Sequence, residues 1–248
     1  MYVKFNIKQA LQVYTELGGT TTFPDSLKQV LKFMQNDSNI TNMEEAAYLL
    51  ATAKGESDYS LQRWESDYVC GPVGQPYKSQ PCDAALNYYR ATQTSSGKSK
   101  RNYYELGTDK NNLPYFGRGL IQLTGKYNYQ KYGDLIGVNL VDDADKALIP
   151  KNSYRVASHY LKERTFDYVK AGNLTKARKS VNGGTNGLED VNEAYYMWLS
   201  VFQTPSVGFK QATFSKTTRM VMIGTGVTTT LGLVAFFVFS PPKQKLLR

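Results

Sequence analysis

The stretch 46–68, AAYLLATAKGESDYSLQRWESDY, constrains this chain more than any other. It opens as an apolar run in which Ala46, Ala47, Leu49, Leu50 and Ala53 cover much of a helix's circumference. A helix apolar on most sides has to be buried, so the rest of a domain must be assembled around it. Asn42 followed by Glu45 at the third position reads as a capping box opening this helix, predicted over residues 43–54. The stretch then turns polar and aromatic, with Glu56 and Glu65 nine residues apart across the change. On one continuous helix, nine steps of about 100° would place the two glutamates on opposite faces. Gly55, the run Ser57-Asp58-Tyr59-Ser60 and the loss of apolar period predict that the helix stops between them. One carboxyl on a buried helix end and one on a facing loop suit acid/base cleavage of a glycosidic bond. One donates a proton to the leaving oxygen and the other activates water. A pair of solvated surface glutamates is the plainer alternative.

Helical periodicity recurs at residues 6–17, 25–35, 152–169, 174–181 and 188–202. A short helix over 83–93 interrupts the polar segment 70–113. No regular alternation marks a large sheet, and a small hairpin near 115–123 is the one candidate, so the expected class is mainly α. The segment SSGKS at 95–99 lacks the leading glycine of a phosphate loop, because Thr92 stands there. The N-terminus is amphipathic and does not read as a secretory leader.

The chain of 248 residues carries a formal net charge of +9. Residues 206–248 hold six Lys or Arg and no Asp or Glu, which leaves the first 205 residues at only +3. A nucleic-acid-binding body would hold its own basic stripe, so no nucleic-acid partner is expected. Cys70, Cys82 and the single His159 are too few and too scattered for a structural zinc site. The two cysteines could close a disulfide loop worth up to roughly 3 kcal/mol, or remain free thiols. His159 reads as a packing or surface residue on a helix.

Composition changes again after Thr204-Pro205. MVMIGTGVTTTLGLVAFFVF, residues 220–239, is 20 residues without a charge, the length needed to span a bilayer. Its four threonines and three glycines suit packing against a partner helix. Three basic residues lie close on each side, so orientation cannot be read. The expected organisation is a body over 1–205, a linker over 206–219, a transmembrane helix over 220–239 and a basic tail over 240–248.

A second motif, YFGRGLIQLTGKYNYQKYG at 115–133, is a glycine-punctuated turn followed by a cluster of Gln, Thr, Asn and Tyr. Such residues offer hydrogen bonds and stacking faces to sugars. FGRGLIQLTGKYNY resembles the signature of glycoside hydrolase family 19, the chitinases and related bacteriophage endolysins. LLATAKGES resembles the family's helix that ends in His-Glu-Ser/Thr, and WESDY its Glu-Asn-Leu-Asn-Tyr segment. SVNGGTNGLED, residues 180–190, resembles a third family block.

The resemblance implies a lysozyme-like α-rich fold and an inverting mechanism without metal or cofactor. It implies Glu56 as general acid, Glu65 as general base and Thr124 as a holder of the attacking water. Gln122, Tyr127, Asn128 and Asn182 fall on substrate-binding positions. Three departures stand out: Gly55 replaces the family's histidine, WESDY is one residue short, and Val191 stands where an arginine is common. The last implies the loss of a structural ion pair. Together with the C-terminal span, the resemblance implies a membrane-anchored lytic enzyme that cleaves β-1,4 bonds of peptidoglycan glycan strands, of bacteriophage origin. Its expected location is a virion membrane or host cell envelope, with virion or membrane proteins as further partners. Chitin is the rival substrate, and a non-catalytic glycan-binding or structural virion protein is the rival class.

Overall fold

The computed structural model describes residues 3–19, 24–63, 108–111 and 115–210. All lie in the first of two units into which the chain divides, 1–212 and 213–248. Glu65, Cys70, Cys82, the helix expected over 83–93 and the span expected over 220–239 lie outside the described residues. Among the described residues, no helix is long and apolar enough to cross a membrane.

The described part is mainly α-helical. Its only extended pairings are two isolated antiparallel bridges, Lys4 with Lys210 and Arg118 with Leu123. The hairpin expected near 115–123 is thus reduced to one bridge around a tight turn. Helices α1 (Ile7–Glu16), α2 (Asp25–Met34) and α3 (Met43–Ser57) come first. They are followed by α4 (Lys126–Ile136), α5 (Pro150–Arg164) and α6 (Phe166–Lys170). Then come α7 (Leu174–Asn182) and α8 (Leu188–Gln203). The Lys4–Lys210 bridge, with N–H···O distances of 3.1 and 2.8 Å, joins the first described segment to the last. The rings of Phe5, Phe202 and Phe209 cluster beside it.

Helix α3 is the buried axis that its composition predicts, with every residue from Ala46 to Ala53 fully buried. Helix α8 packs along it, antiparallel, and small residues set the approach. The position where a Cβ on Gly55 would stand is 3.0 Å from Val191. One turn of contact further, the Tyr48 and Tyr195 rings meet edge to face. At the start of α3 the Asn42 side chain accepts the Glu45 N–H at 2.8 Å, one half of the predicted capping box. The other half differs. Glu45 reaches past Asn42 to the Thr41 N–H and hydroxyl, and its second oxygen meets Lys170 of α6 at 3.2 Å. A buried carboxylate needs such partners, and α6 supplies a cation that lies far away in sequence.

Two other boundaries depart from the periodicity. The helix expected over 152–169 breaks at Thr165, whose hydroxyl and N–H both bond the Leu161 carbonyl. The break redirects the chain so that Phe166 and Val169 enter the core. Helix α4 was not legible as a helix because its buried stripe is Tyr129, Tyr132, Gly133 and Ile136. The spacing is helical, but tyrosines stand where aliphatic residues would mark it.

Candidate active site

Glu56 occupies the last turn of α3, and the chain leaves the helix directly after it. Asp58 and Tyr59 both adopt left-handed backbone, at φ 50° and 63°. Aspartate tolerates that region, but a tyrosine there is strained. Its surroundings hold it: Tyr59 is buried and accepts a 2.9 Å hydrogen bond from the Trp198 indole of α8. The helix therefore stops between Glu56 and position 65, as predicted, although the reversal falls at Asp58 instead of Gly55.

The carboxylate is not free. Arg178 of α7 donates from Nη1 to Glu56 Oε1, and its Nε donates at 2.9 Å to the Asn186 carbonyl. Arg178 is buried and Glu56 is 18% exposed at the side chain, so the pair lies at the edge of solvent. Asn182 also donates to the Asn186 carbonyl, at 3.0 Å, and accepts the Gly184 N–H at 2.9 Å. The turn 183–187 is thereby folded back toward the end of α3. The fully buried Tyr48 lies within electrostatic reach of both Glu56 and Arg178, and burial pushes its phenol up to about 12. It stays neutral at physiological pH and serves as packing beneath the pair.

Ser57, next to the acid, makes the second connection. Its hydroxyl shares its one proton between the Leu120 carbonyl at 2.9 Å and the Ala53 carbonyl at 3.1 Å. This joins the end of α3 to the turn 118–123. That turn rests on Arg118, a fully buried guanidinium bonded to Asp145 at 2.8 Å and to Tyr129 OH at 3.0 Å, with the Phe116 ring 4.2 Å away. Burial raises the Asp145 carboxyl to about 6 even with Arg118 opposing the shift. Gly119 turns at φ 74°, where a Cβ would stand 2.7 Å from Ser153 Oγ. Its N–H donates to the Arg63 carbonyl at 2.8 Å, and Gln122 Nε2 donates to the same carbonyl at 3.1 Å. The turn therefore grips the backbone two residues before Glu65.

Of the other expected binding residues, Thr124 donates its hydroxyl to the Gln122 carbonyl at 2.9 Å. Asn128 donates to Thr124 O at 2.7 Å and accepts from Arg164 at 3.4 Å. Tyr127 is 72% exposed at the start of α4, an aromatic face open to solvent. Hydrogen bonds thus link Glu56 to Arg178 and Asn182 on one side. Through Ser57 the same helix end meets the Gln122–Thr124–Asn128 segment on the other. Glu65 lies outside the described residues.

Sequence reasoning missed Arg178. The available signal was the arginine absent at position 191. Val191 is buried against Gly55, and the guanidinium facing the acid comes from a different helix. An ion pair is present here, but its cation is supplied by α7.

The model of the family described as chitinase class I, glycoside hydrolase family 19, matches residues 33–160. The chain belongs to glycoside hydrolase family 19. It is a glycoside hydrolase, and the matched region carries Glu56 and the 115–133 motif. A family 19 domain-containing protein of Haemophilus influenzae is 25% identical over 181 residues, covering 70% of this chain and 89% of that one. Chitinase 11 of Oryza sativa subsp. japonica is 62% identical over 32 residues, which span 13% of this chain and 12% of the rice protein. Among solved structures, chitinase C from Streptomyces griseus HUT6037 is 16% identical with a TM-score of 0.46, covering 82% of this chain and 94% of that one. A bacterial family 19 chitinase is 17% identical with a TM-score of 0.45, covering 79% and 93%.

Proposed function

We propose that this family 19 enzyme is a bacteriophage lytic enzyme that hydrolyses β-1,4 bonds of peptidoglycan glycan strands with inversion. Its lysozyme-like domain is anchored in a virion membrane or host envelope by residues 220–239. The observation that carries the reading is Glu56, held at a helix end by Arg178 and joined through Ser57 to a segment rich in sugar-binding side chains. Glu56 is the general acid and Glu65 the general base. Arg178 orients the Glu56 carboxyl through its bond to Oε1. Thr124 helps hold the water that Glu65 activates, and Tyr127, Gln122, Asn128 and Asn182 contact the sugars. An inverting reaction needs roughly 6.5–9.5 Å between the two carboxyls, room for one water. The uncharged segment 220–239 and the basic residues flanking it support the anchor.

Chitin is the second reading, favoured by the name of the rice relative, Chitinase 11. Purified peptidoglycan and chitin are each digested with the full-length protein. Mass spectrometry identifies the new reducing-end sugar, and early NMR spectra give its anomeric form. Peptidoglycan fragments with an α-anomeric new end are expected. Release of soluble products from chitin alone would replace the substrate, and an initial β-anomer would replace the mechanism.

A further inference from the structure

A groove of about 370 Å³ lies between the loop after α2 and the outer face of α5, and none of its residues belongs to the candidate active site. Lys151, Arg155 and His159 follow one another along α5 at four-residue steps, on one face, with a rise of about 6 Å per step. Lys151 and Arg155 form no ion pair among the described residues. Lys162, one turn further, donates to Asn39 Oδ1 at 2.9 Å.

The one carboxylate lining the groove, Asp37, is turned into the protein. It accepts from Tyr154 OH at 2.9 Å, from the Ser158 hydroxyl and from the Asn39 N–H at 2.9 Å. Cationic groups therefore outnumber the anion in the lining. Burial holds the lone imidazole, His159, below its ordinary value; Asp37 opposes the shift, and Arg155 and Lys162 add to it. The Phe33 ring of α2, 5.4 Å from the buried Tyr154 ring, forms an aromatic wall of the groove.

We propose that this groove binds a carboxylate carried on a short peptide, with the carboxylate between Lys151, Arg155 and His159 and an aliphatic side chain against Phe33. This rests on the peptidoglycan reading, because peptidoglycan bears acidic peptide stems and chitin bears none. A phosphodiester chain would satisfy the cations but would leave the aromatic wall without a partner. The groove is a second contact with the wall, which holds the enzyme on uncut, peptide-bearing strands.

His159 is the only histidine in the chain, so its ring resonances in the full-length protein report on this groove alone. Muropeptides with intact stems, peptide-free glycan strands and a glycerol-phosphate polymer are titrated separately. Muropeptides should shift the His159 signals saturably and raise its apparent pKa, since a nearby carboxylate favours the imidazolium. Arg155→Ala and Lys151→Ala, at a half-buried and an exposed position, should each weaken that binding about tenfold, in line with loss of a charged hydrogen bond. Absence of a response overturns the proposal. So does an equal response to peptide-free strands, a stronger one to the phosphate polymer, or unchanged affinity in both variants. Cleavage of purified walls is measured on the same protein. Walls cut without a His159 response reject the groove and leave the substrate reading standing, and a response without cutting does the converse.

Discussion

Replacing Arg118 by methionine tests whether the turn that faces the acid is held by a buried ion pair. Methionine keeps an unbranched stem of similar length and removes the guanidinium, together with its stacking on Phe116. Asp145, 3% exposed at its side chain, is left without its cation. Losing one partner of a buried pair costs about 3–5 kcal/mol. The protonation route gives an independent ceiling. Keeping Asp145 neutral in the folded variant at pH 7.5, against an unfolded value of about 3.9, costs about 5 kcal/mol.

The sign with pH follows from the raised carboxyl. In the native protein Asp145 titrates at about 6, so its proton-linked stabilisation is complete below the unfolded value and is lost as pH rises through 6. Between pH 7.5 and 5 the native protein gains about 1.4 kcal/mol from this group, whereas the variant, already protonated, gains about 3.4 kcal/mol. All other titrations cancel in the difference. The penalty measured by urea unfolding should therefore be about 4 kcal/mol at pH 7.5 and smaller by about 2 kcal/mol at pH 5. Arg118→Met/Asp145→Leu should recover most of the loss, because an apolar pair needs no desolvated charge. A penalty under about 1 kcal/mol at pH 7.5, or one that does not change with pH, would refute the account.

Glu56→Gln should lower wall hydrolysis by about 10²–10⁴-fold with an unchanged far-UV spectrum, since the amide cannot donate the leaving-group proton; near-normal turbidity clearing would move the acid elsewhere. Arg178→Ala should reduce kcat by roughly 10²-fold through misplacement of Glu56, with Arg178→Lys keeping more of it; equal kcat in all three proteins would show that the pair is not used. Glu65→Ala should lose hydrolysis without any sugar ester forming on the protein, and azide should restore turnover as an inverted glycosyl azide; an ester on Glu65 seen by mass spectrometry would indicate double displacement. Full-length protein should stay with membranes in high salt, because an apolar span is insensitive to screening; release by salt alone would indicate a peripheral basic tail.

The sequence by itself determined the features that rest on a few neighbouring residues. The all-round apolar pattern of α3 requires burial wherever it is placed, and Asn42 caps it with a bond to a group three residues away. That the helix stops after Glu56 was legible in the polar run 57–60 and the loss of apolar period, although the left-handed turn falls at Asp58 and not at Gly55. The family blocks are contiguous strings and needed no contacts to be read.

Tertiary structure decided what spans long separations. Arg178 reaches Glu56 across 122 positions, and nothing local to either residue announces the pairing. Glu45 looked like the second half of a capping box, yet packing of α6 against α3 offered it Lys170, and a buried carboxylate takes the partner that best offsets its lost hydration. Helix α4 hid its buried stripe in tyrosines, whose phenols read as surface or sugar-binding groups until Arg118 and the core consume them. Local hydrogen bonds and periodicity are written in adjacent residues, whereas the charge beside the acid depends on which helices come to lie side by side.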